Sequence, residues 1–298
     1  MMIEAEKLYL AFGRHEALRG LSLAVPEGSA YALIGANGAG KTTTIRAIMN
    51  IITPMSGSTR ILGVDSRSLG VRQLQRIGYV SENQELPRRL TVAQYVNYLR
   101  PFYPRWDRQL EQELLAQLRL PGERRIGDLS HGMRLKMALA CALPFRPEVL
   151  ILDEPFSGLD SLVRDEFMER LLQQAGEMTI LISSHELAEI EGLTTHVGFI
   201  DQGRLLFQES MSELSARFRQ VRLTLSSPGP VPERLPQGWL EPALAGNVLS
   251  FVDSRFTEAA LAQNVAARFQ GVRSVDVQPL DLRAIFTTMA RATRGDAT

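Results

Sequence analysis

The sequence predicts an α/β fold in which helices cover a parallel sheet. Three observations carry that expectation. An apolar run ending Tyr31-Ala32-Leu33-Ile34 stops at a glycine-rich turn and gives way to Thr42–Ile52, which has helical spacing. Val149–Leu152 is an unbroken apolar run, the pattern of a strand buried on both faces of a parallel sheet. Thr179–Ile182 repeats it, again ahead of polar residues and a helical segment.

Along the chain, residues 3–10 and 21–34 read as strands from their alternating or apolar, β-branched content. From Thr91 to Arg119 the spacing is helical, with a break at Pro101 and Pro104. Ser130 is placed to cap a helix running to about Leu143. Composition shifts near residue 219, where strand-like Val221–Leu225 precedes the proline-rich stretch Ser227–Pro242. Strand-like Val248–Val252, helical Thr257–Phe269, strand-like Val272–Val277 and helical Leu280–Arg291 follow, enough for a small α+β appendage.

The chain has 298 residues, with 33 basic and 33 acidic side chains. That balance removes the usual electrostatic argument for a nucleic-acid binder. No apolar stretch reaches the ~20 residues that a membrane-spanning helix needs, and the first residues lack the basic and apolar regions of a secretory signal. The single cysteine, Cys141, cannot form an internal disulfide and reads as core. These features predict a soluble cytoplasmic chain. Lysine is rare: only Lys7, Lys41 and Lys136 occur, and arginine supplies every other basic charge.

One of those lysines sits in a motif. Gly35-Ala36-Asn37-Gly38-Ala39-Gly40-Lys41-Thr42 fits G-x-x-x-x-G-K-[ST] between a strand and a helix. Its glycines let backbone N–H groups converge on phosphate oxygens, and the helix beginning near Lys41 directs its positive end at them. Lys41 can reach the β- and γ-phosphates as a compact charge, which arginine's planar fork does poorly. Thr42 offers a hydroxyl to Mg²⁺, and Thr43 completes the loop. The strand Val149–Leu152 then delivers Asp153 and Glu154 at its C-terminal end, where open α/β sheets bind ligands. Asp153 is expected to hold Mg²⁺ through water, and Glu154 to polarise the attacking water.

Leu129-Ser130-His131-Gly132-Met133 precedes this acidic pair, and Ser157-Gly158-Leu159-Asp160 and then His185 follow it. In that order the motifs resemble the ATP-binding subunit of an ABC transporter, over about residues 1–218. The resemblance implies a P-loop NTPase core with an antiparallel β part and a helical subdomain at about 84–145, leaving 219–298 as an accessory domain. It implies that Phe12 stacks on adenine, with Tyr9 as the alternative. It makes Glu154 the catalytic carboxylate and His185 the γ-phosphate sensor. It assigns residues 35–43 and Asp160 to the nucleotide.

Ser130 and Gly132 would contact ATP held by a second copy, because a helix start some 90 residues from the phosphate loop cannot meet the same nucleotide in the family fold. Two chains head to tail would complete two sites, which implies a dimer, homodimeric or heterodimeric. His131 and Met133 depart from the family's Leu-Ser-Gly-Gly-Gln pattern, and His131 is read as an exposed, tolerated residue. Glu82 stands where the family carries a Mg²⁺-contacting glutamine, with Gln84 as the alternative.

The function implied is export driven by ATP through a separately encoded membrane permease, with the chain peripheral on the inner face of the cell membrane. The alternatives are an importer subunit or an ABC-type ATPase acting on ribosomes or DNA, which the neutral charge opposes. The appendage resembles those of drug- and antibiotic-export ATPases, or serves as a stability or dimer cap. His15 and His196 receive no role. Of the clustered aromatics, Tyr95, Tyr98 and Phe102 are expected as the core set of the helical subdomain. Tyr103 and Trp106, beyond the Pro101 break, are expected as the surface pair that meets the permease.

Overall fold

The computed structural model describes residues 1–82, 84–157, 159, 161–174, 178–185, 190, 192–227, 232 and 235–295. They form two compact units, Met1–Gln208 and Glu209–Thr298.

In the first unit, β1 (Ile3–Phe12) and β2 (His15–Val25) pair antiparallel, and the last pair of the hairpin sets Phe12 opposite His15. The run 21–34, read as one strand, is two. Pro26-Glu27-Gly28 turns the chain, with Gly28 at φ +70°, before β3 (Ala30–Ile34) begins. The α1 helix (Lys41–Ile48) stops short of Ile52 because a left-handed Asn50 closes it. There the N–H of Asn50 donates to Ala47 O and that of Ile51 to Arg46 O, the paired bonds of a Schellman ending. β4 (Ser56–Ile61) and β5 (Val64–Asp65) complete an antiparallel sheet of order β2-β1-β4-β5. A one-turn helix, α2 (Val71–Leu74), leads to β6 (Ile77–Ser81).

The helical region follows as α3 (Val92–Leu99), α4 (Arg108–Gln117) and α5 (His131–Ala142). Tyr95 is half-buried, but the other aromatics reverse the expected assignment. Tyr98 and Phe102 are 59% and 53% exposed. Tyr103 stacks on buried Phe145 at 4.1 Å, and half-buried Trp106 donates its indole N–H to Glu111 at 2.7 Å. The prolines explain the reversal: a 3-10 turn at Arg100–Phe102 ends α3 and swings the following residues back onto α5 and Phe145. Glu111 is 2% exposed and is gripped by the Arg100 guanidinium at 2.6 and 2.5 Å. Burial pushes its carboxyl up, but the Arg100 and Trp106 hydrogen bonds outweigh burial and leave it below the usual range. Cys141 is buried as expected, and burial raises its thiol to about 12.

β7 (Val149–Asp153), α6 (Ser161–Gln174), β8 (Thr179–Ser184), β9 (His196–Asp201) and β10 (Arg204–Ser210) finish the main sheet, of order β10-β9-β3-β8-β7-β6. β3, β6, β7, β8 and β9 pair in parallel. Ile34 lies opposite Ser184, Asp153 opposite Ser183, and Ser81 opposite Asp153, so these strands end level. That common C-terminal edge is where the candidate site forms. A single core joins the two sheets, with Ile45 and Ile48 of α1 packed among Leu10, Leu33 and Ile151.

In the second unit, α7 (Met211–Arg217) is joined to the rest by Arg217, which bonds Glu209 at 2.6 Å and Ser254 O at 2.6 Å. The unit therefore begins ahead of the composition change at residue 219. Its sheet, of order β12-β13-β11-β14, comprises β11 (Arg219–Leu225), β12 (Trp239–Ala245), β13 (Val248–Asp253) and β14 (Val272–Pro279). α8 (Glu258–Arg268) contributes Leu261 and Val265 to its core, and α9 (Leu282–Gly295) follows. β12 was hidden in the sequence by Pro242, which it tolerates as an edge strand with a register shift between Leu240 and Ala243.

Candidate active site

The loop after β3 turns tightly because its glycines have no side chain to place. A Cβ on Gly35 would lie 2.3 Å from Ile200 O, and Gly40 adopts φ +111° with Ala17 O at 2.9 Å from where a Cβ would stand. The result is a ring of free donors. The backbone N–H groups of Asn37, Gly38, Gly40, Lys41, Thr42 and Thr43 have no acceptor among the described residues. Ala39 instead donates to Ala36 O. Unpaired amides at a helix start suit an anion, above all a phosphate chain.

Lys41 is 5% exposed. Its Nζ donates to Gly35 O at 2.6 Å and Ala36 O at 3.2 Å and lies 2.9 Å from Glu154 Oε1. That last contact is an ion pair by distance, although its angles are not those of a hydrogen bond. The other carboxylate oxygen of Glu154 is 2.9 Å from His185 Nδ1. Glu154 holds a left-handed backbone, φ +50°, which costs a non-glycine residue on the order of 1 kcal/mol or more. Its N–H is pinned by Ser183 Oγ at 2.9 Å. Beside it, Asp153 accepts from Ser183 Oγ at 2.8 Å and from Thr42 Oγ1 at 2.9 Å. Burial raises the Asp153 carboxyl above its ordinary value, and these two hydroxyls oppose the shift only in part.

A cavity of about 450 Å³ gathers these groups. Phe12, Asn37, Gly38, Gly40, Lys41 and Thr42 line it, with Thr43, Glu82, Glu154 and His185. Gly35, Ala36 and Ala39 shape the loop from behind, and Asp153 is reached through Thr42. Of the two candidates in the loop after β6, Glu82 faces this cavity, whereas Gln84 lines a separate small one beside α5. Tyr9 does not line it. Asp160 lies outside the described residues. Ser130 and Gly132 are at the start of α5 and do not line this cavity. Ser130 Oγ accepts from Met133 N, which leaves its own O–H proton to donate. His131 is not the exposed residue expected: it is half-buried, with Nε2 3.3 Å from Ser157 O.

Three lining residues were not expected from sequence: His15, Ala17 and Ser157. The short Phe12–His15 hairpin was the available signal, since a residue paired with Phe12 must share its surroundings.

Oxygen donors alone would serve a divalent cation here: Thr42, Asp153 and Glu82. That set suits Mg²⁺, which binds through a few protein oxygens together with nucleotide phosphates and water.

Residues 18–157 match the ABC transporter family. The chain is 35% identical over 224 residues to the bacitracin transport ATP-binding protein BcrA of Bacillus licheniformis, covering 74% of this chain and 73% of that one. It is 29% identical over 228 residues to the ABC transporter ATP-binding protein YtrB of Bacillus subtilis (strain 168), covering 76% and 78%. Among solved structures, an ATP-binding subunit of an ABC transporter superposes with a TM-score of 0.66 at 27% identity, covering 72% of this chain and 92% of that one. On its fold, its site and these likenesses, the chain belongs to the family of ABC transporter ATP-binding proteins.

Proposed function

We propose that this ATPase subunit binds Mg²⁺-ATP in the cavity described, dimerises around it, and drives export through a separate membrane permease. The observation that carries the reading is the ring of unpaired amides around Lys41, facing Glu154 and His185 in one cavity. The amides of Asn37, Gly38 and residues 40–43 hold the phosphates. Lys41 exchanges Glu154 for the β- and γ-phosphates, which frees Glu154 to draw a proton from the attacking water, with His185 holding the carboxylate in place. Thr42, Asp153 and Glu82 would hold Mg²⁺, which when bound neutralises charge on the phosphates.

Ser130 and the start of α5 point to a dimer, because an anion site outside the chain's own cavity is completed by a second nucleotide. No described helix is long and apolar enough to cross a membrane; we assign the transport path to a separate membrane-spanning chain and place this chain against it at the inner face. Export is favoured by the bacitracin transport relative. The ATP hydrolysis rate of the purified chain, with and without its co-purifying membrane protein, tests the reading; no hydrolysis in either preparation contradicts it.

Phe12 is 55% exposed at the mouth of the cavity, suited to stack on the base. Phe12→Ala should weaken nucleotide binding by roughly 1–3 kcal/mol, and equally for ATP and GTP, because stacking reads a π-face. Parallel titrations with the two nucleotides check both statements.

The surface for the permease is assigned to Tyr98 and Phe102, which pack edge to face at 5.3 Å and remain exposed. Phe102→Ala should keep the melting temperature and lose pull-down of the membrane protein. Trp106→Ala should instead destabilise the fold by about 2–4 kcal/mol, since it removes both ring packing and a hydrogen bond to a buried carboxylate. Melting and pull-down of both variants decide between the two placements.

A further inference from the structure

Ser130 and Gly132 face a nucleotide in another chain on the reading above, yet the residues just behind them are tied to this chain's own catalytic loop. His131 Nε2 lies 3.3 Å from Ser157 O. A carbonyl oxygen only accepts, so Nε2 carries the proton in this contact. Ser157 in turn donates its N–H to Glu154 O at 3.3 Å, and the residue lines the candidate nucleotide cavity. The next residue of α5, Gly132, sits so close that an added Cβ would touch Leu159 at 3.4 Å and Val163 at 3.7 Å. Farther along the same helix, Lys136 is 9% exposed and pairs with Glu166 of α6 at 2.5 Å. In a chain that spends only three lysines, a buried one joins α5 to α6.

We propose that His131 is a positioning residue that couples the phosphate-facing start of α5 to the loop holding Glu154. Contacts from His131, Gly132 and Lys136 fasten one side of α5 to Ser157, Leu159, Val163 and Glu166, so the two segments shift together. Within that seam His131 is the link closest to the acid, three residues from it through the Ser157 turn. Engagement of α5 by the partner's nucleotide thereby fixes Glu154 in this chain's own site, linking hydrolysis here to occupancy there. The proposal rests on the dimeric ATPase reading, but it concerns a contact within one chain.

The test compares His131→Leu, which fills the space without a donor, with His131→Gln, whose amide nitrogen reaches about as far as Nε2. His131→Leu should lower kcat about fivefold, the scale of one hydrogen bond, with KM for ATP and melting temperature near wild type. His131→Gln should restore most of the rate. In the Glu154→Gln background, His131→Leu should still form the ATP-dependent dimer. Wild-type kcat in His131→Leu, no rescue by glutamine, or loss of that dimer would each overturn the proposal, the last by placing His131 across the interface. Failure of the ATPase reading itself would be seen in the wild-type chain, which is measured alongside.

Discussion

Lys41→Ala is expected to lower ATP affinity by on the order of 100-fold, because it removes a buried cation beside the unpaired amides and leaves those amides to offset the phosphate charge. Lys41 Nζ is enclosed by Gly35 O, Ala36 O and Glu154. That enclosure accepts a tetrahedral ammonium but not the broader plane of a guanidinium. Lys41→Arg should therefore bind ATP nearly as poorly as the alanine variant, despite keeping the charge. Equilibrium titration of both variants checks this, and wild-type binding by Lys41→Arg would remove the argument from ammonium geometry.

Glu154→Gln should reduce turnover by about 10²–10⁴-fold, the usual contribution of a positioned general base. Binding should not suffer. Glu154 pairs with Lys41 at 2.9 Å, so neutralising it releases the lysine toward the phosphates. ATP affinity at or above the wild-type value, together with lost turnover in a steady-state assay, is the expected signature. Weaker binding would show that the ion pair orders the loop rather than competing with the nucleotide.

Much of the site was legible because its chemistry is packed into short runs of sequence. The phosphate loop needs contiguous glycines, and Asp153 and Glu154 follow a strand whose apolar run announces it. His185 and Phe12 depended on the family resemblance, since nothing local distinguishes them, yet both line the cavity. What sequence could not show were contacts set by tertiary turns. Nothing local marks His131 as half-buried, because its partner is a backbone carbonyl 26 residues away, which carries no side-chain signature.

The aromatic assignment failed for a related reason. Helical spacing grouped Tyr95, Tyr98 and Phe102 correctly on one face, but spacing does not say whether that face meets core or solvent. The buried Glu111, which holds Trp106, reads in sequence like any solvated helix carboxylate. In the fold, strands with weak patterns were hidden: β4 begins Ser-Gly-Ser-Thr, and β5 has two residues. Both owe their existence to pairing with neighbours.

The central claim is that ATP joins two copies of this chain and that Glu154 then cleaves it. Light scattering of the Glu154→Gln chain with saturating Mg²⁺-ATP tests it most directly. The account predicts a dimer with ATP and a monomer with ADP or without nucleotide. A chain that stays monomeric in ATP while binding it normally would contradict the account.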